Sequence, residues 1–191
     1  MGNHYYFAAS LPLLSYESRA ALEPAQFLTN ATPHLTANEL RAVADARIEG
    51  PKRIDVGSAA GNAYARFERG LRNALVRLRA TGLGVDPEEM LRRDESGRDE
   101  SDLPGVAETA RQAYAEESAL AAEDLLNRAR WTYLDSLETG HYFDTDLLVV
   151  YYLRLQILAR RALFHRDVGE AKYNETIREI TNDYYQEHDQ S

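Results

Sequence analysis

The sequence predicts a mainly α protein, a bundle of long antiparallel helices with a short extended segment at its N terminus. Three observations predict it. The stretch from Asp144 to Gly169, DTDLLVVYYLRLQILARRALFHRDVG, is too apolar for a surface helix and too interrupted by arginine to span a membrane, which needs about 20 largely uncharged residues. It therefore reads as a central helix that other helices must cover. Tyr64, Phe67, Leu71, Leu75 and Leu78 recur three or four apart, which places them on one helical stripe. Helix starts and stops punctuate the rest of the chain in the order a bundle requires.

Taken in order, Tyr5 to Leu14 is apolar and aromatic but broken by Pro12, and predicts a short strand or extended segment packed on the core. Pro24 suits the first position of a short helix carrying Phe27 and Leu28. Thr36-Ala37-Asn38-Glu39 has the spacing of a capping box, so a helix should run from Ala37 to about Ile48 and stop at Gly50-Pro51. The helix bearing the Tyr64 stripe should end at Gly82 and Gly84. Asp86-Pro87-Glu88-Glu89 then restarts a short helix with a carboxylate cap.

Between Arg92 and Asp102 the run RRDESGRDESD contains no apolar residue and repeats itself, which predicts a solvated loop or linker. A long Ala-rich helical region from Pro104 to Glu138 carries Ala122, Leu126, Ala129, Tyr133 and Leu137 on one face, with a break expected near 116–118. The turn GHYFD leads into the central helix. After Gly169, Tyr173, Ile177, Ile180 and Tyr184 outline a last amphipathic helix. The organisation expected is an N-terminal helical part over 1–91, the hydrophilic loop 92–102 and a C-terminal long-helix bundle over 103–191, integrated as one domain.

Composition narrows function. The chain of 191 residues holds no cysteine, which removes disulfides and Cys-ligated zinc. Its opening residues lack the basic head and sustained apolar centre of a secretory signal, so a cytoplasmic location is the expectation. With 22 basic against 31 acidic side chains the net charge is -9, which argues against general nucleic-acid binding. Lysine stands only at Lys52 and Lys172, so nearly every cation is a planar, bidentate arginine.

The motifs offer little chemistry. Glu138 and His141 have the Glu-x-x-His spacing of di-iron bundles, and Asp144 and Asp146 add oxygen ligands, making these four the weak metal candidates. No second such pair exists, Gly140 falls between the ligands, and Asp144 reads more simply as a helix cap. No catalytic residue, resident metal or cofactor is predicted. His165-Arg166-Asp167 copies three letters of a kinase loop whose other parts are missing. Gly57-Ser58-Ala59-Ala60-Gly61-Asn62 could cradle an anion at a helix start, yet lacks the Lys-Ser or Lys-Thr of a nucleotide loop. Tyr5-Tyr6, Tyr151-Tyr152 and Tyr184-Tyr185 are candidates for interfaces or for the rim of a core.

The clearest candidate binding feature is the set Arg66, Arg69, Arg72, Arg77 and Arg79, which falls off the apolar stripe and is opposed on that helix only by Glu68. The face fits three readings: solvated surface, contact with an acidic partner protein, or contact with nucleic acid.

Three stretches, HYYFAASLPLL, FERGLRNALVRLRATGLGVDP and ETGHYFDTDLLVVYYLRLQILAR, together resemble a family of uncharacterised bacterial proteins encoded within V/A-type ATPase operons. More distantly, Tyr64-Ala65-Arg66 with the Arg-bearing helix, and the apolar helix ending LQILAR, are similar to the C subunit of V-type ATPases. That subunit, the counterpart of eukaryotic subunit d, is an all-helical funnel of three repeats that seats the rotating stalk on the membrane ring. This chain has room for only part of it. The resemblance implies a non-catalytic subunit or an assembly or coupling factor, whose partners are V/A-type ATPase subunits and whose membrane contact is indirect. It also implies that the five arginines meet acidic partner side chains, and that the acidic loop faces solvent or a basic stalk surface.

Overall fold

The structure, a computed structural model, describes residues 4–19, 21–50 and 55–164. Among these the chain forms seven α-helices and one 3-10 turn, with no strand. They are α1 His4–Ser10, α2 Pro24–Ala31, α3 Ala37–Asp45, α4 Ala59–Leu83, α5 Val106–Ala115, α6 Ala119–Glu138 and α7 Thr145–Leu163, with the turn at Glu88–Met90. The mainly α expectation holds. The last amphipathic helix, His165-Arg166-Asp167, Tyr184-Tyr185, Lys52 and Lys172 lie outside the described residues.

Local chemistry explains the boundaries. Thr36 and Glu39 form the expected reciprocal box, with Thr36 N donating to Glu39 Oε2 at 2.8 Å and Glu39 N to Thr36 Oγ1 at 3.4 Å. Pro24 opens α2, and Gly84 closes α4 in the left-handed conformation at φ 68°. The Ala-rich region breaks where expected, because Ser118 turns its side chain back to cap α6 through Ala121 N. Helix α3 stops at Asp45, three residues short of Ile48, when Ala46 goes extended. Helix α7 closes at Phe164, short of Gly169.

The N terminus differs from expectation. Residues 4–10 are helical rather than extended, and Phe7 is carried into the core on the inner face of α1. Pro12, two residues beyond the last turn, ends the helix, and residues 12–15 after it have no regular secondary structure.

Helix α7 is the axis of the molecule. Ten of its residues between Leu148 and Leu158 are buried, on nearly all sides, by α2, α3, α4 and α6. Burial of each large apolar side chain stabilises by roughly 1.5–3 kcal/mol, so this helix anchors the main core. Phe27 stacks near both the Tyr151 and Tyr152 rings, at 5.4 and 5.7 Å, and Tyr151 Oη donates to Pro12 O at 2.9 Å. The tyrosine pair is thus core, not interface. A second core joins α4, α5 and α6 through Phe67, Leu71, Leu75, Val106, Ala110 and Leu126. Tyr133 packs against both, stacked on Phe67 at 4.2 Å. The short connection between α6 and α7 makes them an antiparallel hairpin.

Candidate functional site

The arginines of α7 face carboxylates. Arg154 reaches Asp135 at 2.5 Å and Glu138 at 2.6 Å while its guanidinium lies over the Trp131 ring. Arg160 pairs with Glu123 and Glu49, and Arg161 lies over Tyr16 and pairs with Asp124 and Glu17. These joints explain how an apolar central helix tolerates charge: each guanidinium leaves the core sideways into a fixed acceptor.

The basic helix is treated the same way. Glu68, fully buried, is the hub between α4 and α6. Arg130 grips both of its oxygens, Nε to Oε2 at 2.9 Å and Nη2 to Oε1 at 3.2 Å, and Arg72 Nε adds a third contact at 2.7 Å. Burial works against the charge on Arg130, and the Glu68 carboxylate outweighs it, holding the guanidinium's pKa above its ordinary value. Asn127 Oδ1 accepts from Arg130 Nη1 at 2.9 Å, completing the set.

Residues 92–102 are not a free linker; they form a strap folded back across α4. Asn73, almost wholly buried, donates through Nδ2 to Arg92 O at 2.6 Å and Asp99 O at 2.8 Å, and its Oδ1 accepts from Arg92 N at 2.9 Å. Gly70 lets the strap approach, since a Cβ there would stand 2.1 Å from Glu100 O. Glu100 adopts a left-handed φ of 60° and is itself buried. Arg77 pairs with Asp99 and, at 3.6 Å, with Glu88, and Arg69 lies 3.9 Å from Glu100. The duplicated sequence makes a duplicated turn. Asp94 Oδ1 accepts from Ser96 N and Oγ, and Asp99 Oδ1 accepts from Ser101 N and Oγ. Those serine bonds are the leading cause that draws both carboxyls down to a pKa of about 2.

The five arginines singled out by sequence therefore separate. Arg69, Arg72 and Arg77 bind carboxylates of their own chain, whereas Arg66 and Arg79 are exposed. The acidic loop faces that basic helix instead of solvent alone.

The four metal candidates also have internal roles. Glu138 holds Arg154. Asp144 Oδ1 caps α7 through Leu147 N at 2.9 Å, and its Oδ2 lies 2.6 Å from His141 Nδ1. That hydrogen bond raises the pKa of His141. Asp146 Oδ1 accepts from Ser58 Oγ at 2.5 Å and Ala60 N at 3.2 Å. The anion at the start of α4 is thus the chain's own carboxylate, seated on the helix N terminus. His141 Nδ1 also comes within 3.9 Å of Asp146. Among the described residues no group of three or more His, Cys, Asp or Glu side chains is placed to hold a metal ion.

What the sequence reading missed is aromatic. Tyr142 and Phe143, on the turn between α6 and α7, are 73% and 45% exposed, and Phe143 packs against Tyr5 of α1 at 4.4 Å. Two rings placed between a helix-ending glycine and a helix cap were the available signal, because no core-facing periodicity claims them. Tyr6, beside Tyr5 and 74% exposed, extends the same patch.

Together these features define a mainly helical protein in which many charged groups of the described residues join its own helices, with aromatic side chains left exposed near the turn between α6 and α7. The chain belongs to the DUF2764 family, described as proteins of unknown function, whose model matches residues 52–184. Comparison with curated proteins and with solved structures gives no match. No described helix is long and apolar enough to cross a membrane.

Proposed function

We propose that the protein is a non-catalytic subunit, or an assembly or coupling factor, of a bacterial V/A-type ATPase. It acts by protein-protein contacts on the cytoplasmic face of the membrane. The observation that carries this reading is the resemblance of three stretches, in order, to proteins encoded with such ATPases.

The first and third of those stretches also pack on each other, which supports treating them as one feature. The first, over 4–14, meets the third through Tyr5 on Phe143 and through Tyr151 on Pro12 O. The second covers α4 from Phe67 and the turn after it to Pro87, and its apolar residues pack on α5 and α6 in the second core. A body joined by buried ion pairs and two cores resists bending, as a coupling or seating component must. Arg66 and Arg79 remain the exposed cations of the basic helix through which an acidic partner would be met.

The test is affinity purification of the tagged full chain from its native cell, with mass spectrometry of what accompanies it. ATPase subunits recovered in amounts comparable to the bait support the reading. Their absence from a preparation containing abundant folded bait would sink it.

A further inference from the structure

We infer that the strap over 92–102 is an internal stand-in for a partner: it closes a slot on α4 that fits an extended acidic peptide segment, and such a segment binds by displacing it. This deepens the function proposed above and rests on it for the claim that a partner protein supplies the segment.

The slot is one face of α4. Arg66, Gly70, Asn73 and Arg77 recur three or four residues apart, and Arg69 flanks them. Each part recognises a different property. Gly70 offers bare backbone that a second chain can approach closely, and Glu100 O already stands where a Cβ would. Asn73 donates to Arg92 O and Asp99 O and accepts from Arg92 N, so it reads main chain and is indifferent to side chains. Arg77 pairs with Asp99 and Arg69 faces Glu100, which asks for acids at adjacent positions. A peptide bearing Asp or Glu supplies both the amide backbone and the carboxylates; a nucleic acid supplies only negative charge.

The strap fills this slot imperfectly. Between Arg92 and Asp102 there is no apolar residue, so burial of apolar surface does not seat it. Glu100 is held at a φ of 60°, a conformation costly for a residue with a Cβ. Its carboxylate also stops short of the cation it faces. Arg69 Nη1 and Glu100 Oε1 stand 3.9 Å apart, both buried, and neither makes a hydrogen bond among the described residues. A separate segment, free to relax its backbone, brings a carboxylate to Arg69 at ordinary bonding distance while keeping the Asn73 contacts. That difference in contacts is what lets it replace the strap. Arg66, exposed on the same face while the strap is seated, gives the segment a first contact.

The experiment uses the full chain and a fluorescent peptide of Asp, Glu, Ser and Gly, with a control peptide carrying Lys in place of the acids. Anisotropy titrations at about 0.15 M salt keep surface charge partly screened. The strap variant Asp99→Ala with Glu100→Ala removes the internal acids and leaves α4 unchanged. It should bind the acidic peptide about tenfold tighter than wild type, or more, because the slot is no longer occupied. Hydrogen exchange should show the amides of 92–102 losing protection in that variant, and in wild type as acidic peptide is added. The wild-type reading covers the case of a variant that folds poorly. Adding Arg69→Gln and Arg77→Gln to the strap variant should cancel the gain in affinity. Equal affinity of wild type and strap variant, or a gain that survives loss of both arginines, would overturn the proposal. So would strap amides that stay protected in the variant, or in wild type at the highest peptide concentration. Binding of the Lys control or of a single-stranded oligonucleotide as tightly as the acidic peptide would overturn it too. No ATPase subunit enters the assay, so this slot and the functional reading can fail separately.

Discussion

Arg130 of α6 and Glu68 of α4 meet as a two-point pair in the middle of the bundle, at 2.9 and 3.2 Å, with both side chains under a tenth exposed. Glu68 is the residue that looked like a minor offset to a basic helix. In the fold it is the acceptor on which two helices are registered. A buried pair of this kind is worth little against a well-packed apolar replacement, yet removal of one partner strands a charge. Arg130→Met should therefore destabilise by about 3–5 kcal/mol. The double change Glu68→Leu with Arg130→Met should recover much of the loss, and urea denaturation of the three proteins measures the comparison.

The strap gives a prediction that separates docking from mere proximity. Asn73→Ala leaves the backbone groups of Arg92 and Asp99 without partners, at a cost of about 1–3 kcal/mol for each group that stays buried. Hydrogen exchange should show amides of 92–102 losing protection while α7 keeps its own. Gly70→Ala should do the same by steric means, because the intruding Cβ meets backbone and not a yielding side chain. An unchanged exchange pattern in both variants would show that the strap is not seated on α4.

Acid should act on the same strap. Asp94 and Asp99 have folded pKa values lowered to about 2, against an ordinary carboxylate near 4. A group depressed on folding contributes stability that is present above its unfolded pKa and lost as pH falls through the folded one. Strap protection should thus hold at pH 5 and decay between about 4 and 2, with Asp94→Asn and Asp99→Asn flattening the decay. Hydrogen exchange at quench-matched pH, or NMR titration of the two carboxyls, reads the window directly.

The His141 pair has the opposite sign. Its bond to Asp144 raises the folded pKa, so the contribution is complete below the unfolded value of about 6.5 and disappears as pH rises through the folded one. His141→Ala should remove a small rise in stability on the acid side of neutrality and leave alkaline stability unchanged. Thermal midpoints from about pH 5 to 9 test it.

The exposed and engaged arginines should behave differently toward a partner. Arg66→Glu with Arg79→Glu should weaken capture of an acidic partner without changing the fold, since neither holds a carboxylate of its own chain among the described residues. Arg77→Glu should first release the strap, visible as lost amide protection, before any change in binding is interpreted. A fold disturbed by the Arg66 and Arg79 changes would reverse this assignment.

Much of this architecture was legible in the residues. The Thr36 capping box, the stripe from Tyr64 to Leu78, the break before Ser118 and the buried helix after Asp144 all follow from spacing, because caps and periodicity act within one or two turns. The strap was not legible. Its attachment is through backbone carbonyls to Asn73 and through a missing Cβ at Gly70, and apolar patterning registers neither. The arginine set was read correctly as off-stripe, but only the fold could tell that Arg69, Arg72 and Arg77 find acids of the same chain. Likewise Asp146 sits far from Ser58 in sequence and beside it in space, so the anion cradle looked open. The short N-terminal helix was hidden by Pro12, whose breaking effect begins two residues later than the run suggested.

The central claim is that this helical body works as a component of a larger rotary assembly. It is tested most directly by native-gel fractionation of membranes from the source cell, probing for the untagged endogenous protein. The account predicts a band that co-migrates with the ATPase and shifts with it when the complex is dissociated. Migration solely apart from the ATPase, with the ATPase intact on the same gel, would contradict it.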